Sequence, residues 1–385
     1  MNGKRKMQFR DLQKQYEVLR DDIDRSVREV CSGAHYISGP QVGELEAALS
    51  SYVGIKHCIT CANGTDAITL AMKAWGLGKG DAVFVPDFTF FSSGECPAGE
   101  GCTCVFVDVD ERTFNMDPKR LEEAIGRTMS DGRYVPKAVI AVDLFGLPAD
   151  HESIRKICDK HGLKLLEDAA QGFGGNINGK MACSFGDIAI TSFFPAKPLG
   201  CYGDGGALFT DEDDINALLR SLAVHGKSGN DKYNNVRLGL NSRLDTIQAA
   251  ILLVKLKAFE QYELSDVNKV ADWYMHAFEG RAEKKGIILP EIPEGYLSSR
   301  AQFTIQLPDD GTRDRVQKHL KELNIPSMVY YMKPMHRQGA FAGTYSEKTE
   351  CPVTEKLCRT VLSLPIHPYM TEDEVDTVTG AVLDV

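Results

Sequence analysis

The 385-residue sequence lacks a long apolar run and an excess of positive charge. No apolar stretch approaches the roughly 20 residues that a membrane-spanning helix needs. The basic start MNGKRKMQFRDLQKQY leads into neither the apolar core nor the cleavage site of a secretion signal. Lysine and arginine number 44 against 54 aspartates and glutamates, which gives a formal net charge of −10. We therefore expect a cytoplasmic protein with no membrane partner and no nucleic-acid partner.

Two nucleotide-binding motifs and a disulfide framework are also missing. GDGGAL and GFGGNI each lack the last glycine of the dinucleotide pattern GxGxxG, and the sequence has no P-loop. The eleven cysteines are odd in number, and the CxxC pair Cys58 and Cys61 has no second pair at metal-ligand spacing. We expect buried free thiols in a reducing compartment, and no metal site.

Short apolar runs alternate with amphipathic segments through the first two thirds of the chain. This alternation predicts an α/β fold with a mainly parallel sheet between helices. The predicted strands are AVFVP, CVFVDVD, AVIAVDLFG, KLLEDAA, IAITSFF and GALFTD.

The last third of the chain has a different pattern. A long helix with breaks is predicted from Leu244 to Phe278, and AQFTIQL, TRDRVQKHLKEL and VLSLPIHP predict a strand, a helix and an extended segment. We expect a large domain over residues 1–260, including an N-terminal helical segment, and a small α+β C-terminal domain over residues 261–385.

Lys197 lies in an unusual setting, TSFFPAKPLGCYGDGGALFT. Pro195 and Pro198 restrict its backbone to a non-helical path, and aromatic residues precede it. Most lysines are solvated surface residues. A lysine held beside apolar surface instead has a lowered pKa and can act as a nucleophilic amine.

Two further motifs complete a candidate site. Asp168 closes the predicted strand KLLED, at the sheet edge where open α/β folds bind ligands. Asn63-Gly64-Thr65 precedes an amphipathic segment and predicts exposed N–H groups and a hydroxyl at a helix N-terminus, which suits a phosphate. Taken alone, this second motif is more typical of a plain helix cap, whereas its combination with Lys197 and Asp168 favours a phosphate site.

These elements, in this order, resemble the fold-type I (aspartate-aminotransferase-like) enzymes that use pyridoxal phosphate. More narrowly, the chain resembles the DegT/StrS sugar-nucleotide aminotransferases, and within them the branch that aminates UDP-2-acetamido-2-deoxy-3-oxo-glucuronate. The matching segments cover nearly the whole chain: YISGPQVGELE, CANGTDAI, PDFTFFSS, EDAAQGFG, TSFFPAKPLGCYGDGGA, GLNSRLDTIQAA and SLPIHPY.

The resemblance implies roles around the cofactor ring. Lys197 would bind pyridoxal phosphate covalently through its amine and later move the substrate proton. Asp168 would pair with the pyridine nitrogen and keep it protonated. Phe90 would stack on the ring, although a core aromatic is the alternative interpretation. Gln171 would contact the hydroxyl side of the ring.

The resemblance also implies a phosphate site and a homodimer. Gly64, Thr65 and Ser192 would hold the phosphate, and Asn241 would reach it from the neighbouring subunit, so that two sites are shared. Arg243, also from the neighbour, would bind an acidic part of the donor or sugar. The alternatives are a turn residue for Asn241 and a surface ion pair for Arg243.

The stretch VYYMKPMH departs from the family pattern, which commonly has His-Tyr-Pro here. Tyr330 takes the histidine position and Met332 the proline position, whereas Tyr331 is retained. We place Tyr330 and Tyr331 among the substrate-binding residues. The polar insert at residues 226–235 is expected to shape the entrance to the same substrate-binding site.

The expected reaction is a ping-pong transamination from L-glutamate, through pyridoxamine phosphate, to a keto sugar nucleotide. A UDP-linked 2-acetamido-3-oxo sugar is preferred, the glucuronate included, for a diamino sugar of surface polysaccharide such as lipopolysaccharide O-antigen. Amination at C4 of a 4-oxo-6-deoxy sugar is the alternative reaction. A non-catalytic sensor or scaffold is disfavoured, because both Lys197 and Asp168 are present.

Overall fold

The computed structural model describes residues 6–228 and 233–385, which form an α/β fold of helices packed around a central sheet. The helices are α1 (Leu12–Gly33), α2 (Pro40–Val53), α3 (Gly64–Ala74), α4 (Ser92–Gly99), α5 (Pro118–Asp131), α6 (His151–His161), α7 (Asp213–Leu222), α8 (Thr246–Ala258), α9 (Leu264–Phe278), α10 (Asp310–Glu322), α11 (Pro352–Thr360) and α12 (Glu372–Leu383). The strands are β1 (His57–Cys61), β2 (Asp81–Pro86), β3 (Thr103–Val107), β4 (Val135–Val142), β5 (Lys164–Asp168), β6 (Asn176–Ile177), β7 (Lys180–Met181), β8 (Ile188–Ser192), β9 (Gly206–Thr210), β10 (Tyr296–Leu297), β11 (Phe303–Gln306) and β12 (Val361–Leu364).

The seven strands of the central sheet lie in the order β1-β9-β8-β5-β4-β2-β3. From β8 to β3 every neighbouring pair is parallel, as the sequence predicts. β9 is the exception, because it runs antiparallel to both β1 and β8. Residues 193–205 between β8 and β9 contain no helix, so the chain returns beside β8 in the opposite direction.

Both faces of the sheet are covered, which explains its continuous apolar strands. In β2, Val83 and Val85 pack on the side of α3 and α4, whereas Ala82 and Phe84 pack on the side of α5 and α6. α2 and α8 cover β8 and β9 on one face through a separate cluster that includes Leu45 and Leu252. The sheet is therefore rigid, and side chains at its strand ends are held in fixed positions.

The C-terminal segments form their own apolar core. β11 and β12 pair antiparallel, and α9, α10 and α12 pack against them around Phe303, Leu364 and Val378. Tyr274 is fully buried there and donates a hydrogen bond to the Pro365 carbonyl at 2.8 Å. α8 continues into α9 through a π-helical stretch, Phe259–Glu263, so the expected boundary near residue 260 falls inside a helix. The domain division stays a prediction.

All eleven cysteines are free thiols, and ten of them are buried. Cys58 and Cys61 pack into clusters on opposite faces of β1, because residues three apart in a strand point to opposite sides. Their CxxC spacing therefore does not bring the two sulfurs to one site. Among the described residues, no helix has the length and apolar content to cross a membrane.

Candidate active site

The predicted cofactor residues come from neighbouring strand ends of the central sheet. Asp168 is the last residue of β5, and Ser192 is the last residue of the adjacent parallel strand β8, with Asp168 opposite Ile190. Lys197 follows Ser192 in the turn that leads to β9. The carboxyl ends of parallel strands meet at one sheet edge, which is where ligands bind in this architecture.

Asp168 is buried, and two hydrogen-bond donors hold its carboxylate. Its side chain is 4% exposed. The Ser93 hydroxyl donates to Oδ2 at 2.9 Å, and the Ala170 N–H donates to Oδ1 at 3.2 Å. Burial raises the pKa of Asp168, while these hydrogen bonds and the positive charge of Lys197 oppose the rise. The result is a fixed carboxylate that is more basic than usual and suited to holding a proton on a ring nitrogen.

Lys197 has the chemistry of an activated amine. Its backbone N–H donates to the Phe194 carbonyl at 2.8 Å, which closes a tight turn. Loss of solvation lowers the pKa of Lys197 to about 8, against the attraction of Asp168, and the charge of Arg10 lowers it further. A substantial fraction of the amine is therefore unprotonated and nucleophilic near neutral pH.

The start of α3 forms a cradle for an anion beside these groups. Asn63 caps the helix by accepting from the Asp66 N–H at 2.7 Å, so the predicted cap is present together with the exposed turn. A Cβ on Gly64 would lie 2.9 Å from the Ser192 Cβ, and a Cβ on Gly206 would lie 2.6 Å from the Asn63 carbonyl carbon. Only glycine allows these backbones to approach, which accounts for part of the glycine cluster after Lys197. Helix N-termini with adjacent hydroxyls bind phosphate groups.

A hydrogen bond joins Gln171, three residues after Asp168, to Tyr331. The Gln171 side-chain amide donates to the Tyr331 hydroxyl at 3.3 Å, and its oxygen accepts from the Phe145 N–H at 2.8 Å. Tyr331 also contacts the Phe88 ring edge-on, with ring centroids 5.9 Å apart. Tyr330 is half-buried and packs edge-on against Phe9, with ring centroids 6.3 Å apart.

Three predicted site residues lie at the surface rim. Phe90 is 56% exposed, Asn241 is exposed and Arg243 is half-buried. Among the described residues, no hydrogen bond or ion pair joins Asn241 or Arg243 to Lys197 or Asp168. Their assignment to a neighbouring subunit's site stays a prediction. Residues 229–232 of the polar insert lie outside the described residues.

Three residues near the site escape the sequence interpretation. Ser93 supports Asp168 directly, and the Ser92 hydroxyl lies 2.8 Å from the Thr65 hydroxyl. The two consecutive serines, Ser92 and Ser93, are only a weak sequence signal for polar groups at this edge of the sheet. Arg10 acts on Lys197 through its charge, and nothing in its sequence context indicates this, because the N-terminal segment reaches the site only through tertiary folding.

The chain belongs to the DegT/DnrJ/EryC1/StrS aminotransferase family, whose model matches residues 17–383. It is 42% identical over 377 residues to the UDP-2-acetamido-2-deoxy-3-oxo-D-glucuronate aminotransferase of Pseudomonas aeruginosa, with 98% of this chain and 99% of that protein covered. The predicted family, and with it the enzyme class of aminotransferase, is confirmed.

Two solved structures extend the similarity to the fold and the cofactor. A DegT DnrJ EryC1 StrS aminotransferase from Brucella abortus matches with a TM-score of 0.93 and 44% identity, covering 98% of each chain. NtdA from Bacillus subtilis with bound cofactor PMP matches with a TM-score of 0.85 and 28% identity, covering 95% of this chain and 82% of that one. The predicted fold class and the pyridoxal phosphate cofactor are confirmed.

The residues present fit this cofactor. An amine of lowered pKa, a buried carboxylate and a helix N-terminus close to a strand-end hydroxyl lie at one sheet edge. Because Gly64 has no side chain, the start of α3 can lie directly against Ser192. An aldehyde, a pyridine nitrogen and a phosphate are the three groups that such a donor set would hold.

Proposed function

We propose that this enzyme transfers the amino group of L-glutamate to a keto sugar nucleotide, preferably a UDP-2-acetamido-3-oxo sugar. The observation that supports the proposal most strongly is the Lys197 amine, of lowered pKa, placed beside the buried Asp168 carboxylate at the strand ends. The substrate class follows the Pseudomonas aeruginosa relative, which is similar along its whole length.

The bound cofactor supplies an electron-accepting ring that stabilises negative charge on the substrate carbon. Lys197 holds the cofactor and, once displaced by the amino donor, accepts and returns the proton between the two reacting carbons. Asp168 keeps the ring nitrogen protonated, and Ser93 keeps Asp168 oriented. Gln171, fixed by Phe145 and Tyr331, is placed to contact the hydroxyl side of the ring.

The cofactor phosphate is assigned to Gly64, Thr65 and Ser192. The α3 N-terminus offers unpaired backbone N–H groups and a partial positive charge. The Thr65 hydroxyl is held by Ser92, which fixes its direction. Phe90 is assigned to the ring face; its 56% exposure is consistent with a side chain that a ligand covers.

The homodimer with shared active sites is part of the proposal. Leu238 is 92% exposed, and Phe194 and Val236 are each more than half exposed, which is apolar surface that a second copy would cover. Asn241 and Arg243 lie on the same segment as Leu238. A partner could therefore present both to the Lys197 site, as the sequence interpretation requires.

Subunit complementation tests the shared site. Lys197→Ala and Arg243→Ala are expected to inactivate or impair their own homodimers. A 1:1 mixture refolded or co-expressed together should recover about a quarter of wild-type kcat/KM, because half of the dimers then carry one intact site of two. Recovery no greater than the mean of the two homodimers, at equal total protein, would exclude contribution across the interface.

Matched substrates test the sugar. With glutamate as donor, kcat/KM for a UDP-linked 2-acetamido-3-oxo sugar should exceed that for a 4-oxo-6-deoxy nucleotide sugar. The glucuronate and its neutral glucose counterpart then show whether a carboxylate at C6 is required. Faster amination of the 4-oxo sugar would favour the alternative reaction. The cytoplasmic location and the role in surface polysaccharide stay predictions.

A further inference from the structure

Three buried ionisable side chains form a cluster next to Asp168. Asp143 and Glu167 are both 0% exposed, and His151 is 2% exposed. One polar side-chain atom from each lies within 4.8 Å of the others. Glu167 precedes Asp168 in β5, and Asp143 follows the end of the neighbouring strand β4. Asp143, Glu167 and the adjacent Asp168 would repel one another strongly if all three were ionised without solvent.

The hydrogen bonds of Glu167 favour its ionised form. Its Oε1 accepts from the Cys183 N–H at 2.5 Å, and its Oε2 accepts from the Phe185 N–H at 2.6 Å. Both oxygens therefore receive a backbone donor. Such donors stabilise the ionised form of Glu167 relative to the protonated form.

Asp143 is bonded on one oxygen only. Its Oδ1 accepts from the Ala149 N–H at 2.9 Å and lies 2.7 Å from His151 Nε2. Its Oδ2 is buried and meets no N–H or hydroxyl donor among residues 6–228 and 233–385. A side-chain oxygen of Asp143 nevertheless lies within 4.8 Å of one of Glu167. A hydrogen bond between two carboxyl groups is possible only if one of them carries a proton.

His151 has the features of a neutral imidazole. Its Nε2 faces Asp143, whereas its Nδ1 is buried without a partner in the described part of the chain. The ring stacks on Phe185 with centroids 4.6 Å apart. A protonated ring would leave a charged N–H buried and unpaired at Nδ1. The neutral histidine therefore donates from Nε2 and does not neutralise the charge of a neighbouring carboxylate.

We propose that Asp143 carries a proton on Oδ2, donates a hydrogen bond through it to ionised Glu167, and through this pair positions Asp168 and Gln171. The proposal rests on the proposed function for the roles of these last two residues. The Asp143 N–H donates to the Asp168 carbonyl at 3.0 Å. Two residues further on, the Phe145 N–H donates to the Gln171 side chain at 2.8 Å.

Close packing also couples the Asp143 side chain to the backbone beside Gln171. A Cβ on Gly172, next to Gln171, would lie 2.5 Å from both the Cβ and Oδ2 of Asp143. Any shift of the Asp143 carboxyl group therefore moves against the 171–172 backbone. Burial raises the pKa of Asp143 well above its usual value and that of Glu167 to about 7, and burial lowers the pKa of His151, so the cluster disfavours having all its groups charged.

The matched variants Asp143→Asn and Glu167→Gln test the proposal, because each replaces one carboxyl group with its amide. Asparagine can accept at Oδ1 and donate from its amide nitrogen to Glu167, so it reproduces the protonated acid. Glutamine would place a donor opposite the backbone N–H of Cys183 or Phe185. We expect the dissociation constant for pyridoxal phosphate to change less than about threefold in Asp143→Asn and to rise about tenfold or more in Glu167→Gln.

Infrared spectroscopy of the protein without cofactor gives a second measurement that does not depend on activity. The wild type should show the C=O stretching band of a buried carboxylic acid at neutral pH, and Asp143→Asn should remove it. This result decides the proton assignment even where Glu167→Gln fails to fold. A band that survives Asp143→Asn, or a stoichiometric metal ion in the purified protein, would overturn the proposal. A wild type that shows the band but binds no pyridoxal phosphate would instead contradict the proposed function.

Discussion

The inner and outer parts of the active site are built in different ways. The inner group, Ser93, Asp168 and Gln171, is at most 5% exposed, and its members are hydrogen-bonded within the chain. The outer group, Phe90, Asn241 and Arg243, lies at the surface, and no polar contact joins it to the inner group among the described residues. In the proposed function, the residues closest to the reacting atoms therefore come from one chain, whereas the outer residues belong to exposed surface that a ligand or a partner would cover.

Removing the amine of the inner site should have the largest effect. We expect Lys197→Ala to lower kcat/KM by about 10³-fold or more, because both the covalent anchor and the proton carrier are lost. Lys255 offers a matched control: it is also buried, with a pKa lowered to about 8 by burial, and donates to the Gly200 carbonyl. Lys255→Met should lose stability but keep the covalent bond to the cofactor, which mass spectrometry after borohydride reduction would show. Loss of that bond in Lys255→Met alone would contradict the assignment.

Neutralising the inner carboxylate should come next. Asp168→Asn keeps the shape but cannot hold the ring nitrogen protonated, and we expect kcat to fall about 10²-fold. Asp187→Asn serves as the control, because Asp187 lies at the opposite end of the same strands, paired with Arg155. Steady-state kinetics of both variants with saturating cofactor checks the difference. Equal losses would indicate that the sheet, not the site, has been damaged.

The outer group should respond in KM more than in kcat. Arg243→Ala is expected to raise KM for the acidic substrate about tenfold, because a charge-assisted hydrogen bond is lost without change to the reacting groups. Arg237→Ala is the comparison, since Arg237 is exposed nearby and donates to the Ser221 hydroxyl at 2.6 Å. A fall in kcat with unchanged KM would place Arg243 with the inner group.

Protonation of Lys197 predicts a graded pH effect. Its pKa in the folded protein is lowered to about 8, so the amine is neutral above that pH and charged below it. The rate at which the cofactor-free enzyme captures pyridoxal phosphate should therefore fall as pH drops through 8, approaching tenfold per pH unit. Asp168 opposes this lowering, so Asp168→Asn should move the midpoint to lower pH. Stopped-flow absorbance measures both, and a rate independent of pH between 6 and 9 would contradict the environment described for Lys197.

Sequence patterns predicted the residues of the inner site better than the buried residues that hold them in place. Lys197 and Asp168 are recognisable because a strand end, a proline-bounded turn and glycines surround them locally. The Asp143–Glu167 pair was not predicted, because it depends on β4 and β5 being neighbours and on backbone N–H groups from residues 183–186. The reversed direction of β9 was also missed, since an apolar strand carries no signal for its direction.

The central claim is tested most directly by the visible spectrum of the purified protein with pyridoxal phosphate, before and after glutamate. The account predicts a yellow band that glutamate bleaches while 2-oxoglutarate forms in equal amount. Addition of 2-oxoglutarate should restore the colour without any sugar present. A protein that stays colourless with added cofactor, or whose band is unchanged by glutamate, would contradict the roles given to Lys197 and Asp168.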